Sequence, residues 1–361
     1  MVRNGKLVLE DGSVFPGKLI GSGSRIGEVV FTTGMNGYQE TMTDPSFCDQ
    51  IVMLTYPLAG NYGVAKKRNQ GDQVAARGMI VSEIFDLPDH WESEESFSSF
   101  LGDEGTLILC GVDTRALTLK IRNVGAVVGI LVDEEVSVEE ALKQIANREE
   151  LSHPVRRVTC KSAYEIAGEG MTVAVLDFGI KKGILSCLSR IGLNLKVFPA
   201  SATKEEILAI NPSGIFLSNG PGDPQKLDRE VALVKELIGT VPMFGICLGH
   251  QLLTLASGGN TYKMKFGHRG TNHPVKDLET GKIAVTAQNH GYAVDDEKVP
   301  EEWVVTHRSV NDDTIEGLRH KTLPIFSVQY HPEAQAGPQD TEYLFDQFVQ
   351  MMEKEASKCL K

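Results

Sequence analysis

Between residues 172 and 257 the chain alternates short apolar runs with amphipathic stretches, and nothing else in it limits the fold as tightly. Thr172-Val173-Ala174-Val175-Leu176, Leu195–Phe198, Ile215–Leu217 and Met243–Ile246 are near-continuous apolar runs of strand length. Between them lie a helical stripe at Ile180, Ile184, Leu185, Leu188 and Ile191, a stretch opened by Thr203 with Glu206 three residues on, and a segment from Asp228 to Ile238. Strands covered on both faces lose the in-and-out alternation of a half-exposed sheet, and they need helices on either side. The pattern predicts an α/β unit: a parallel sheet flanked by helices. A chain of 361 residues also has room for a second core.

That second core lies upstream, where the texture is different. Asp11-Gly12 sits between Leu7-Val8-Leu9 and Val14-Phe15, a hairpin signal. Val29–Phe31 and Ile51–Leu54 have the composition of buried strands, punctuated by Gly34, Gly37, Asp44 and Pro45. One helix is expected from Asp113 to about Gly125, another from Ser137, where Glu140 completes a capping box. Residues 148–170 are polar and aperiodic. The expected organisation is a mixed, β-rich domain over 1–150, a linker over 151–170 and the α/β domain over 171–357. Within the last, hairpin-like segments at Lys282–Ala287 and Trp303–His307 precede a final helix from Asp340 to Glu353.

Composition removes several classes of function. Thirty-six Lys and Arg against 48 Asp and Glu leave a net charge of −12, the wrong sign for a nucleic-acid binder. The six cysteines are scattered, with no C-x-x-C or Cys/His cluster, so no metal site is expected. No apolar run suggests a membrane span or a signal peptide, and a cytoplasmic location is the expectation.

The chemistry concentrates in three motifs. Gly245-Ile246-Cys247-Leu248-Gly249-His250-Gln251 has the form G-x-C-x-G between a strand and a helix, the context of a nucleophile elbow. A helix N-terminus favours the thiolate form of a cysteine, and the next backbone N–H is aimed at an oxyanion forming beside the sulfur. The plainer reading is a buried structural cysteine, its glycines serving helix–strand packing. A nucleophile needs a base, and His331 in Gln329-Tyr330-His331-Pro332-Glu333 ends an apolar strand that could run beside Cys247. Pro332 holds His331 extended, and Glu333 can return to fix the imidazole tautomer. Alone, His-Pro-Glu is equally an ordinary turn. Ser218-Asn219-Gly220-Pro221-Gly222 follows a strand, where a glycine loop either approaches substrate or simply turns.

In this order the three motifs resemble the class I, triad-type glutamine amidotransferase domain. The resemblance implies a flavodoxin-like sheet, with Cys247 as nucleophile, His331 as general base and acid, and Glu333 as its orienter. The first half is similar to the N-terminal domain of the small, glutamine-hydrolysing subunits of carbamoyl-phosphate synthase. The residues that carry this are Phe31–Glu40, Thr43–Ser46, Leu54–Pro57 and Gly111–Arg115, with Ala287–Tyr292 in the second half. By that resemblance, glutamine is held by Gly220, Gly222, Leu248, Gln251, Asn289, Gly291 and Tyr292, with Ser46 reaching across from the first domain. Position 292 carries Tyr where the family often has Phe.

The reaction so implied is hydrolysis of glutamine through a Cys247 thioester, with the ammonia passed to a large subunit. No Gly-Lys pair in the chain is followed by Ser or Thr, and Gly21–Gly27 misses the dinucleotide spacing by one residue. No cofactor is therefore expected on this chain, and ATP and Mg are expected on the large subunit. The resemblance leaves room for higher oligomers of the heterodimer and for arginine or pyrimidine synthesis as the product's destination. Three other readings stand beside it: a glutaminase serving another synthetase, a scaffold with a vestigial site, and a cysteine peptidase on a related fold.

Overall fold

At Gly12 the backbone enters the left-handed region (φ 83°), and Asp11 Oδ1 accepts the Ser13 N–H at 3.0 Å, closing the first hairpin. Val2–Leu9 and Val14–Ile20 pair antiparallel across it, with Leu7 opposite Phe15 and Val8 opposite Val14. The structure, a computed structural model, describes residues 2–148 and 153–359. By its contacts the chain divides into two compact units, residues 1–152 with 265–270, and residues 153–264 with 271–361.

In the first unit, seven strands among the described residues close into a barrel. Around it run Val2–Leu9, Val14–Ile20, Leu107–Cys110, Gly78–Ile80, Gln50–Leu54, Arg25–Thr32 and Val127–Asp133, which pairs back onto Val2–Leu9. Both faces of its strands are used. Val29, Ile51, Met53, Leu107 and Leu109 pack with Leu117 and Ile121 of the helix Thr114–Val124. Their neighbours Val30, Val52, Leu54 and Ile108 pack with Tyr38, Met42, Phe97 and Leu101. The two expected helices are present. Asp113 Oδ1 caps Thr114–Val124 through the Ala116 N–H (2.8 Å) and Gly125 ends it at φ 103°. Ser137 Oγ caps Val138–Ala146 through the Glu140 N–H (3.1 Å). Among the elements without a sequence signal strong enough to register are the helices Tyr38–Thr43 and Phe97–Asp103, the 3₁₀ turn Pro45–Phe47 and the strands Gly78–Ile80 and Leu107–Cys110.

The second unit is built on a sheet whose five central strands are parallel, in the spatial order Asn194–Pro199, Thr172–Asp177, Gly214–Leu217, Met243–Ile246, Ile325–Val328. Counted along the chain that order is 2-1-3-4-5, the flavodoxin-like winding. Alternate residues of each strand enter opposite cores. Ala174, Leu176, Ile215 and Leu217 meet Val234, Leu237, Leu248 and Leu252, whereas Val173, Val175, Phe216 and Phe244 meet Ile184, Leu188, Phe345 and Phe348. Beyond Ile325–Val328 the sheet continues through the antiparallel strand Ile315–His320 and on through Ile283–Val294, Thr261–Asp277 and Trp303–Ser309. The last helix is Tyr343–Cys359, starting later and running further than the expected Asp340–Glu353.

The stretch expected as a linker, 151–170, differs from that expectation over its described part. Val155–Val158 is a short helix with Val155 fully buried, and Tyr164–Ile166 pairs antiparallel with Asn194–Pro199 at the sheet edge. Elements of three or four residues are too short to show a period, which is why composition suggested a linker. Residues 151 and 152 lie outside the described residues. Among the described residues no helix is long and apolar enough to cross a membrane.

Candidate active site

Cys247 stands between the strand Met243–Ile246 and the helix Leu248–Ala256, with φ 52° and ψ −103°. For a residue with a Cβ this is strained backbone, of the kind that persists only where its surroundings enforce it. The Cys247 N–H donates to Val328 O (2.9 Å) and the Gly249 N–H to Ser218 O (3.0 Å), tying the elbow to both neighbouring strand ends.

The two motif glycines act through space rather than through φ. Neither has a positive φ. A Cβ at Gly245 would lie 2.8 Å from the Gly249 carbonyl carbon, and one at Gly249 would lie 2.7 Å from Leu217 Cβ and collide with the Leu217 carbonyl oxygen. They let helix and strands close up around the cysteine, which itself carries the strain. The close packing and the elbow geometry are thus one arrangement.

Leu248 opens the helix, so its N–H has no intrahelical acceptor. Its side chain packs on the Gly220 loop, where a Cβ at Gly220 would lie 2.7 Å from Leu248 Cδ2 and collide with Phe178 O. Ser218 Oγ accepts the Phe178 N–H (2.9 Å) and donates to Asn219 O (2.7 Å), holding that loop in place. Gly222 does adopt a positive φ, 95°.

His331 arrives as expected. Ile325–Val328 runs parallel to Met243–Ile246 with Val328 opposite Ile246, and three residues further on the His331 N–H donates to Ala287 O (2.9 Å). Its Nδ1 is 2.7 Å from Glu333 Oε1. Its other ring nitrogen, Nε2, is buried, with the Cys247 side chain beside it.

The same Glu333 oxygen lies 2.8 Å from Lys181 Nζ, an ion pair sealed from solvent. Burial alone would strip the proton from His331, but the Glu333 carboxylate outweighs it. With a smaller contribution from Cys247, the imidazole keeps its proton up to about 10. Burial likewise opposes ionisation of Glu333, and the Lys181 and His331 charges reverse that, bringing its carboxyl down to about 2.

On the strand Ile283–Val294, the Asn289 carbonyl oxygen is 3.6 Å from Cys247 Sγ. Gln251, one turn along the elbow helix, donates through Nε2 to Tyr292 O (2.9 Å) and Gln329 Oε1 (3.0 Å). Gly291 lies between Asn289 and Tyr292 on that strand. The second unit therefore brings together Cys247, His331, Glu333, Leu248, Gly220, Gln251, Asn289 and Tyr292. Ser46 is in the first unit, buried in the 3₁₀ turn Pro45–Phe47 with its N–H on Asp44 Oδ1 (2.9 Å).

Sequence reasoning missed Lys181 and Gln329. Lys181 carried a signal: it and Lys182 open a helix, where the positive end of the dipole disfavours cations. A lysine in that place needs a reason, and Glu333 supplies one.

Residues 7–131 match the family described as Carbamoyl-phosphate synthase small chain, CPSase domain, and residues 174–351 match Glutamine amidotransferase class-I. The Carbamoyl phosphate synthase pyrimidine-specific small chain of Bacillus subtilis (strain 168) is 49% identical over 349 residues, covering 96% of each chain. The Carbamoyl phosphate synthase small chain of Clostridium acetobutylicum is 50% identical over 349 residues, 96% of this chain and 99% of that one. The small chain of Bacillus cereus (strain ATCC 10987 / NRS 248) is 50% identical over 354 residues, 96% of each.

Proposed function

The chain belongs to the family of carbamoyl-phosphate synthase small chains as its glutaminase subunit, and from that premise we propose that Cys247, His331 and Glu333 carry the hydrolysis. The observation that supports this most is the continuity of the line: a strained cysteine, a histidine whose buried Nε2 has that cysteine beside it, and a carboxylate on its Nδ1.

The Cys247 sulfur attacks the side-chain amide carbon of glutamine, forming the S–C bond and an oxyanion held by backbone N–H groups at Leu248 and the Gly220 loop. His331 gives its proton to the amide nitrogen, the C–N bond breaks, and ammonia leaves a thioester. Water then attacks the same carbon while His331 takes its proton. The S–C bond breaks, and glutamate departs with the sulfur regenerated. Glu333 steadies the imidazolium each time it forms, as the raised proton affinity of His331 requires.

Gly222, Asn289, Gly291, Tyr292 and Gln251 line the glutamine pocket in this reading, and Ser46 completes it from the first unit. As a small chain, the protein works with a large chain. We assign ATP and Mg to that partner, partner docking to residues 1–150 and catalysis to 171–357. The ammonia travels to the partner enclosed, because in neutral water it would be protonated and lose its nucleophilicity. The setting is the cytoplasm, where thiols stay reduced, and the heterodimer is open to further association.

The test is Cys247→Ser, assayed with the large chain. Glutamine-dependent carbamoyl phosphate synthesis is lost while synthesis from added ammonia persists. A variant that still uses glutamine would remove Cys247 from the mechanism.

A further inference from the structure

Gln251 follows Cys247 by four residues, one turn into the helix that Cys247 precedes. They also meet one stretch of neighbouring strand, Cys247 at the Asn289 carbonyl and Gln251 at the Tyr292 carbonyl. The Gln251 amide nitrogen has two hydrogens and uses both, one on Tyr292 O and one on Gln329 Oε1. Its oxygen, Oε1, takes no hydrogen bond from the protein and is not sealed from solvent.

The carbonyl of Tyr292 can only accept, so it decides which end of the Gln251 amide is nitrogen. One such bond still allows the amide plane to rotate. The second acceptor, on Gln329, removes that freedom. Gln329 is itself fully buried two residues before His331, its backbone is held by its N–H on Glu316 O (2.9 Å), and among the described residues its amide nitrogen has no partner, so its side chain's hydrogen bond is the one to Gln251.

We propose that Gln329 is a positioning residue for substrate recognition: it locks the Gln251 amide so that only its oxygen faces the pocket, as an acceptor for the α-ammonium of glutamine. An acceptor-only group matches the ammonium and rejects the α-carboxylate beside it. One turn of helix, ~5.4 Å along the axis, is comparable to the reach from the amide carbon at Cys247 to the α-nitrogen of an extended glutamine. The inference rests on the reading of Gln251 as a pocket residue.

The experiment compares hydrolysis of glutamine with that of 4-carbamoylbutanoate, which is glutamine without its α-ammonium, by the small chain assembled with its large chain. In Gln329→Met the preference for glutamine over this analogue falls about tenfold, the worth of one hydrogen bond, through KM for glutamine rather than kcat. Gln329→Glu, isosteric and still offering an oxygen, recovers most of the preference. Gln329→Asn draws the amide oxygen back by one methylene and loses preference in the same direction, which keeps the test open should Gln329→Met not fold. Equal behaviour of the Met and Glu variants would reduce Gln329 to a packing role and overturn the proposal. Gln251→Met separates the two layers. If it leaves the preference intact, the pocket reading of Gln251 fails. If it abolishes the preference while Gln329→Met does not, only the positioning role of Gln329 fails.

Discussion

Lys181 Nζ sits 2.8 Å from Glu333 Oε1, the same carboxylate oxygen that meets Nδ1 of His331. One oxygen thus serves two cations, and neither is reached by solvent. The lysine neutralises a carboxylate that would otherwise be costly to bury, yet it also opposes the charge on His331. In the proposed mechanism, catalysis and folding share this contact.

Replacing Lys181 by Met should therefore cost both. Breaking a buried pair leaves a charge uncompensated, at about 3–5 kcal/mol, less whatever His331 itself recovers. Glutamine hydrolysis should fall about tenfold or more in kcat, since Glu333 loses one of the contacts that hold it. Steady-state kinetics and urea unfolding of the same preparation check this. Unchanged kcat would make Lys181 a structural counter-ion only.

Stability should decline as the solution turns alkaline. The pKa of folded His331 is raised from 6.5 to about 10, so its contribution is complete below about pH 6.5 and disappears as pH rises towards 10. Glu333 acts in the opposite sense: its pKa is lowered from 4.5 to about 2, so its contribution is complete above about pH 4.5 and is lost on the acid side. Trp303 is buried in the second unit, whereas Trp91 is 85% exposed, so tryptophan fluorescence on unfolding reports mainly on the unit that holds the site. The urea midpoint at pH 9 should lie below that at pH 6, and His331→Asn should remove the difference.

At Cys247 the backbone, not the side chain, carries the strain. Cys247→Gly should be more stable than Cys247→Ala by about 1 kcal/mol, although glycine ordinarily costs stability relative to alanine, because only glycine is at ease at φ 52° and ψ −103°. Thermal unfolding of the two inactive variants decides it. The reverse order would show the elbow to be unstrained.

A methyl group at position 249 has no room. Gly249→Ala drives a Cβ into Leu217, so it should destabilise the second unit by about 1–3 kcal/mol. It should also displace the Leu248 N–H and lower kcat more than it raises KM. Gly258→Ala is the control for backbone entropy and conformation alone, since that glycine, although at φ 89°, has open space around it.

The sheet of the second unit was legible because apolar runs such as Val173–Leu176 are buried on both faces and carry no alternation to misread. That the strand leading to His331 could run beside the one leading to Cys247 was legible from the two apolar runs, and Ile325–Val328 does run parallel to Met243–Ile246. What escaped notice was local geometry decided by distant partners. Tyr38–Thr43 has six residues and a left-handed glycine at its N-cap instead of a capping side chain, so nothing announces it as a helix. Barrel closure depends on Val14–Ile20 finding Leu107–Cys110 across most of the first unit's sequence, and no local pattern encodes that. For Gly245 and Gly249 the elbow and packing readings stood side by side, because a sequence does not tell a glycine chosen for φ from one chosen for its missing Cβ. Lys181 and Gln329 are read through Glu333 and Gln251, so their proposed roles surface when both partners are in place.

The barrel has a further consequence. A closed ring has no edge strand, so a visiting chain finds little backbone ladder in it to extend. Whatever binds that ring must recognise side chains, which are set residue by residue and differ between sequences. Small and large chains that meet this way can diverge into private pairs, each faithful to its own partner, while the ring beneath stays the same.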